Sequence, residues 1–199
     1  MRSLIASALF LASFASMAGD DYVETRELSV AADGIQSLDI RAGAGSLAVV
    51  GVAGDDAIEV TARIIVPGAD SDEGQEIVAE EARLSLDREG ETARLRSRFE
   101  RMFWGFGSDG RIDLEVRVPQ GMALVIDDSS GEVDVERVGA DVSITDNSGS
   151  IDVDGVAALK ITDGSGSINA ANAAGDVNIK DGSGSITHTG VVGHVDIPK

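Results

Sequence analysis

Apolar and polar residues alternate with a period of two through the second half of the chain, and the alternation recurs. Leu124, Ile126 and Val133 flank Asp128-Ser129-Ser130-Gly131, and Val142, Ile144 and Ile151 flank Asp146-Asn147-Ser148-Gly149. Leu159, Ile161 and Ile168 flank Asp163-Gly164-Ser165-Gly166, and Val177, Ile179 and Ile186 flank Asp181-Gly182-Ser183-Gly184. A fifth unit stops at Val195-Asp196-Ile197-Pro198-Lys199. The aligned glycines Gly131, Gly149, Gly166 and Gly184 lie 18, 17 and 18 residues apart. Period two puts the apolar residues of a strand on one face. Each unit therefore reads as two short strands joined by a tight turn. A unit this short cannot fold alone, but stacked units bury a continuous interior, with backbones about 4.8 Å apart. The predicted fold is all-β: a parallel β-solenoid of 17–18 residues per rung, right-handed.

An earlier copy, Leu38-Asp39-Ile40-Arg41-Ala42-Gly43-Ala44-Gly45-Ser46-Leu47, matches the same register without a gap. An insertion at about 52–118 separates it from the clear repeats of 122–199. Within the insertion Ile58, Val60, Ala62 and Ile64 alternate as a strand that Pro67-Gly68 ends. Asp70 or Ser71 can cap a short helix running to about Arg83, with Ile77, Val78 and Ala82 on its apolar face. Residues 84–99 read as a hairpin turning at Arg88-Glu89-Gly90-Glu91, and Arg111 to Val118 as another strand. These elements predict an antiparallel sheet flanking the solenoid.

The chain begins with a different pattern. Met1-Arg2 supplies one positive charge, Leu4 to Ala15 is apolar apart from Ser7 and Ser13, and Ser16-Met17-Ala18 offers small residues for cleavage. About 12 apolar residues fit a secretory leader and are too few to span a bilayer. The expected organisation is a signal peptide at 1–18, a lead-in at 19–35, and one solenoid domain at 36–199. No cysteine follows the apolar run, which excludes lipid attachment through a processed cysteine, and no later stretch is apolar enough to cross a membrane.

The resemblance lies in the repeated Asp-x-Ser-Gly-Ser-Ile turns, the lead-in Val116-Arg117-Val118-Pro119-Gln120-Gly121 and the copy Arg41-Ala42-Gly43-Ala44-Gly45-Ser46-Leu47. In these the chain resembles the putative-adhesin family of bacterial envelope proteins, a domain of unknown function, over about residues 36–197. The resemblance implies a β-solenoid at the cell envelope and no catalytic residues.

Charge narrows the function further. The chain has 16 basic and 35 acidic residues, a formal net charge of -19. Phosphate backbones and anionic membrane surfaces repel such a protein, so nucleic acid is excluded as a bulk partner. Cysteine is absent and there are two histidines, His188 and His194. Thiolate metal sites and cysteine nucleophiles are thereby excluded, and a zinc site lacks a third ligand. Paired acids such as Asp152 and Asp154 fall on an outward strand face and read as solvated.

Three groups carry candidate chemistry. Asp128, Asp146, Asp163 and Asp181 form one column, whose carboxylates suit calcium. The competing reading is turn chemistry, in which each Asp accepts from the backbone two residues on. Solvated neighbours at rung spacing repel by only about 0.9 kcal/mol. Phe103, Trp104 and Phe106, with Phe99 nearby, form an aromatic segment suited to a partner surface or to capping an end of the solenoid. The glycines around Phe106 match a dinucleotide fingerprint in letters only, without the strand and helix it needs. Arg94, Arg96 and Arg98 share one strand face and suit an anionic ligand such as a polysaccharide or lipid phosphate. The competing reading pairs them with Asp113 and Glu115 across strands.

The sequence therefore predicts an exported, non-enzymatic binding or scaffolding module with an unknown envelope or surface partner, no catalytic residues and no cofactor. Two alternatives stand beside it: a polysaccharide-acting β-helix enzyme, and a calcium-stabilised β-roll.

Overall fold

The computed structural model describes residues 6–7, 9–18, 21–100 and 110–198. In chain order the first strands are β1 (Ala6–Ser7), β2 (Leu9–Ala18), β3 (Asp21–Ala31), β4 (Ser37–Ala44), β5 (Leu47–Val52) and β6 (Ala57–Val66). Helix α1 (Ser71–Glu81) and strands β7 (Ala82–Glu89), β8 (Thr92–Phe99), β9 (Arg111–Pro119) and β10 (Ala123–Glu136) follow. The repeats supply β11 (Val142–Asp146), β12 (Gly149–Asp154), β13 (Leu159–Asp163), β14 (Gly166–Ala171), β15 (Val177–Asp181), β16 (Gly184–Thr189) and β17 (Val195–Asp196).

The repeats stack in parallel. On one face Leu124, Val142, Leu159, Val177 and Val195 stand in register along β10, β11, β13, β15 and β17. On the other, Val133, Ile151, Ile168 and Ile186 do so along β10, β12, β14 and β16. β10 runs through the corner between the faces and belongs to both. The inward columns form one interior, in which Ile126, Ile144, Ile161 and Ile179 are at most 1% exposed. Each such side chain contributes about 1.5–3 kcal/mol by leaving water, so the stack holds together although no unit could. The architecture is a mostly-β repeat fold built from parallel strand pairs.

The early copy joins this stack directly. β4 pairs with β10 so that Leu38 and Ile40 meet Leu124 and Ile126, and β5 meets the second half of β10. The insertion does more than flank the body. Its last strands, β8 and β9, pair in parallel with β4 and β5 and add a rung on their far side. Chain order and stacking order therefore differ: β10 follows β9 in sequence but lies across β4 and β5 from it.

The remaining insertion strands are antiparallel, as predicted. β7 and β8 form the expected hairpin, with Gly90 at φ 65° in its turn. β6 pairs with β9, β3 with β6, and β2 with the outer edge of β3. α1 begins at its Asp70 cap, whose carboxylate accepts the Asp72 and Glu73 amides at 3.0 Å. It buries Val78, and its Gly74 lies against the ring of Tyr22, where a Cβ would come within 2.2 Å. Among the described residues no helix is long and apolar enough to cross a membrane.

Candidate binding site on the arginine face

The three arginines of β8 project outward, because Ala93, Leu95 and Ser97 take the inward phase and are buried. Their predicted partners are not the observed ones. Asp113 and Glu115 lie on β9, on the other face of the rung, where Asp113 accepts the Ser46 amide at 3.1 Å and approaches Arg111 at 3.7 Å. Arg94 instead pairs with Glu89 at 2.6 Å and reaches Asp39 at 4.0 Å. Arg96 grips Asp39 with two nitrogens, at 3.1 and 2.9 Å, and donates to the Asp39 backbone carbonyl at 2.9 Å. Arg98 pairs with Glu100.

Strand pairing brings two further arginines to this face. Arg41 of β4 is in register with Arg96, and Arg83 of β7 with Arg98. Together the four line a cavity of about 620 Å³, with Ser85, Ser129 and the acidic Asp127 among its other walls. Arg83 pairs with Glu100 at 3.0 Å and donates to the Glu80 carbonyl at 2.7 Å. Arg41 is exposed and makes no ion pair among the described residues. Arg94 does not line the cavity. Arg41 and Arg83 escaped the sequence reading because they come from distant strands, yet each falls on the outward phase beside Ile40 and Leu84.

The aspartate column points inward, not to solvent. Asp146 continues the inward phase of Val142 and Ile144, and Asp163 that of Leu159 and Ile161. Asp128, Asp146 and Asp163 are 1%, 3% and 5% exposed, so treating them as solvated charges fails. Asp181, nearer the end of the stack, is half-buried. Asp163 and Asp181 do accept from the amide two residues on, at 3.3 and 3.0 Å, and Asp146 accepts the Asn147 amide at 2.7 Å. Asp128 sits where β10 runs on without such a turn, and neither of its carboxyl oxygens has a hydrogen-bond partner. The Ser129 and Ser130 amides beside it favour its charged form, against the larger effect of burial. Burial, reinforced by the Asp146 charge, pushes the Asp128 carboxyl up to about 7. Burial also raises Asp146 and Asp163, against the pull of their turn amides. No group of three or more His, Cys, Asp or Glu residues is placed to hold a metal ion among the described residues.

Phe103, Trp104 and Phe106 lie outside the described residues. In the sequence they fall between β8 and β9. His188 is in register with buried Ala170 but is exposed, as is His194, because their unit lies at the end of the stack.

No protein-family model matches this chain, and no curated protein does. Among solved structures it is similar to a putative cell adhesion protein from Clostridium sporogenes, at 14% identity and a TM-score of 0.50, over 88% of this chain and 98% of that one. A putative adhesin from Parabacteroides merdae gives 12% identity and a TM-score of 0.25, over 88% and 96%. The first of these shows a shared fold.

Proposed function

We propose that this chain is an exported, non-catalytic binding or scaffolding module of the bacterial envelope, of adhesin-like type. The observation that carries the reading is the shape of the stacked body. Its interior is filled with aliphatic side chains, and its outward strand faces are left to polar and charged groups. Residues 119–199 hold 13 acidic and 4 basic residues. Such a surface keeps the body soluble and discourages edge-to-edge association. The fold shared with the putative cell adhesion protein supports the same reading, although one fold serves many functions.

The finer features belong to the same proposal. Residues 1–18 act as the secretory leader, and their removal frees the outer edge of β3. The solenoid has 17–18 residues per rung, the spacing of its recurrent glycines, and winds right-handed. The partner is an envelope or surface component.

Protease accessibility on intact and lysed cells, read with an antibody to residues 119–199, tests the location. Digestion in intact cells puts the body outside and supports adhesion. Protection until the outer layer is opened makes it an internal scaffold, and protection until the cytoplasm is opened refutes export.

A further inference from the structure

The arginine cavity places like charges against each other. Arg41 stands opposite Arg96, and Arg83 opposite Arg98, on neighbouring strands. Like charges directly opposite across a sheet are destabilising. With 35 acidic residues in the chain against 16 basic, a random outward face would be acid-rich. Asp39 and Glu100 hold three of the guanidinium groups in place, while Arg41 forms no ion pair among the described residues, although Asp127, its register partner on β10, also lines the cavity. Gly43 is part of the lining, packed so that a Cβ would stand 3.4 Å from the Arg98 Cα. The result is a preformed, hydroxyl-bearing depression lined by four guanidinium groups and one carboxylate, Asp127, with Arg41 the one guanidinium of the four that no ion pair holds among the described residues.

We propose that this cavity binds the carboxylate of a short acidic sugar, a proposal that rests on the binding-module reading above. Guanidinium forks match carboxylates in geometry, and Ser85 offers a hydroxyl to a sugar ring, while Ser129, which donates its own proton to the Ala42 carbonyl at 3.4 Å, offers an acceptor. A volume of about 620 Å³ lies within the range of small-ligand sites. The apolar part of the lining is limited to small or single side chains such as Ala42 and Leu84, which gives an acyl chain no bed. Charge sets the length of the ligand. Screening confines the attraction to about 8 Å at physiological salt, and beyond it a long polyanion meets the acidic remainder of the molecule. The site therefore takes one to a few sugar units or a chain end.

Calorimetric titration of the purified chain with trigalacturonate tests this, with maltotriose, inorganic phosphate and phosphatidylglycerol vesicles as comparisons. Trigalacturonate is expected to bind and maltotriose to give no heat. Arg41→Ala and Arg98→Ala should each weaken trigalacturonate about tenfold, the loss of one charge-assisted contact, and Arg63→Ala, on β6, should leave it unchanged. Circular dichroism of each variant verifies its fold. Absence of trigalacturonate binding, binding indifferent to Arg41→Ala, or tighter binding of phosphate or vesicles than of trigalacturonate would each overturn the proposal. The cell-accessibility experiment reads the envelope assignment separately, so either can fail alone.

Discussion

A Cβ on Gly166 would stand 1.6 Å from the carbonyl oxygen of Gly149, its register partner in the preceding unit. Gly149 stands in the same relation to Gly131, and Gly184 to Gly166, each at 1.6 Å. The recurrent glycine thus lets successive corners close on one another.

Gly166→Ala is expected to destabilise the chain by about 3 kcal/mol or more, because the backbone at φ 155° is strained for any side chain and its neighbour is rigid backbone. Gly54→Ala separates the two causes. Gly54 has φ 83° and nothing within 4 Å of its Cβ position, so it should lose only about 1–2 kcal/mol. Urea unfolding of both variants measures the difference, and equal losses would show that the close approach is relieved elsewhere.

Asp128 makes stability depend on pH in an unusual direction. Its folded-state value, about 7, lies above the ordinary 3.8, so the folded protein holds a proton that the unfolded chain releases. Its contribution is fully present below the ordinary carboxylate range and is lost as pH rises through about 7. Wild type should therefore melt at a lower temperature at pH 8 than at pH 5. Asp128→Asn, which keeps the shape and cannot ionise, should narrow that gap by raising the pH 8 value. Comparing the two proteins cancels the general repulsion of an acidic surface. A gap that the variant leaves untouched would mean that Asp128 is hydrated in solution.

Much of this architecture was legible because a period-two pattern and a repeat reinforce each other. Leu38 and Ile40 could be aligned with Leu124 and Ile126 across the whole insertion, and they meet in register. The rung formed by β8 and β9 was not legible. The sequence between the two strands lacks the Asp-x-Ser-Gly signature, and the rung stacks outside β4 and β5, against chain order. The aspartates were misread for another reason. Their phase relative to Ile126, Ile144 and Ile161 already pointed inward, but turn chemistry offered an explanation that needed no burial. Of the cavity, Arg96 and Arg98 could be named from one strand. Arg41 and Arg83 needed the pairing of three strands to become their neighbours.

Asp39 is the counterweight of the arginine face. It accepts two bonds from Arg96 and lies within reach of Arg94. Asp39→Asn should cost about 1–2 kcal/mol, since a partly buried charge-assisted pair is lost and the repulsion between Arg41 and Arg96 is left unopposed. The loss should shrink in high salt, which screens that repulsion. Denaturant unfolding at about 0.05 and 0.5 M salt checks this, and a salt-independent loss would assign the effect to packing.

Position in the stack sets how much each repeated side chain contributes. Ile161 is 0% exposed, with units on both sides of it, whereas Ile186 is only half-buried, because β16 has a stacked neighbour on one edge only among the described residues. Ile161→Ala should cost about 3 kcal/mol and Ile186→Ala about 1 kcal/mol, since the second site is already wet and leaves no closed cavity. The same gradient governs local opening. Each unit gains stability from its neighbours, so amides of β16 and β17 should exchange through local fraying, and those of β11 and β13 only through larger openings. Hydrogen exchange across the repeats reads both effects at once. Uniform protection from β11 to β17 would mean that the last unit is covered in solution by something the single chain does not supply.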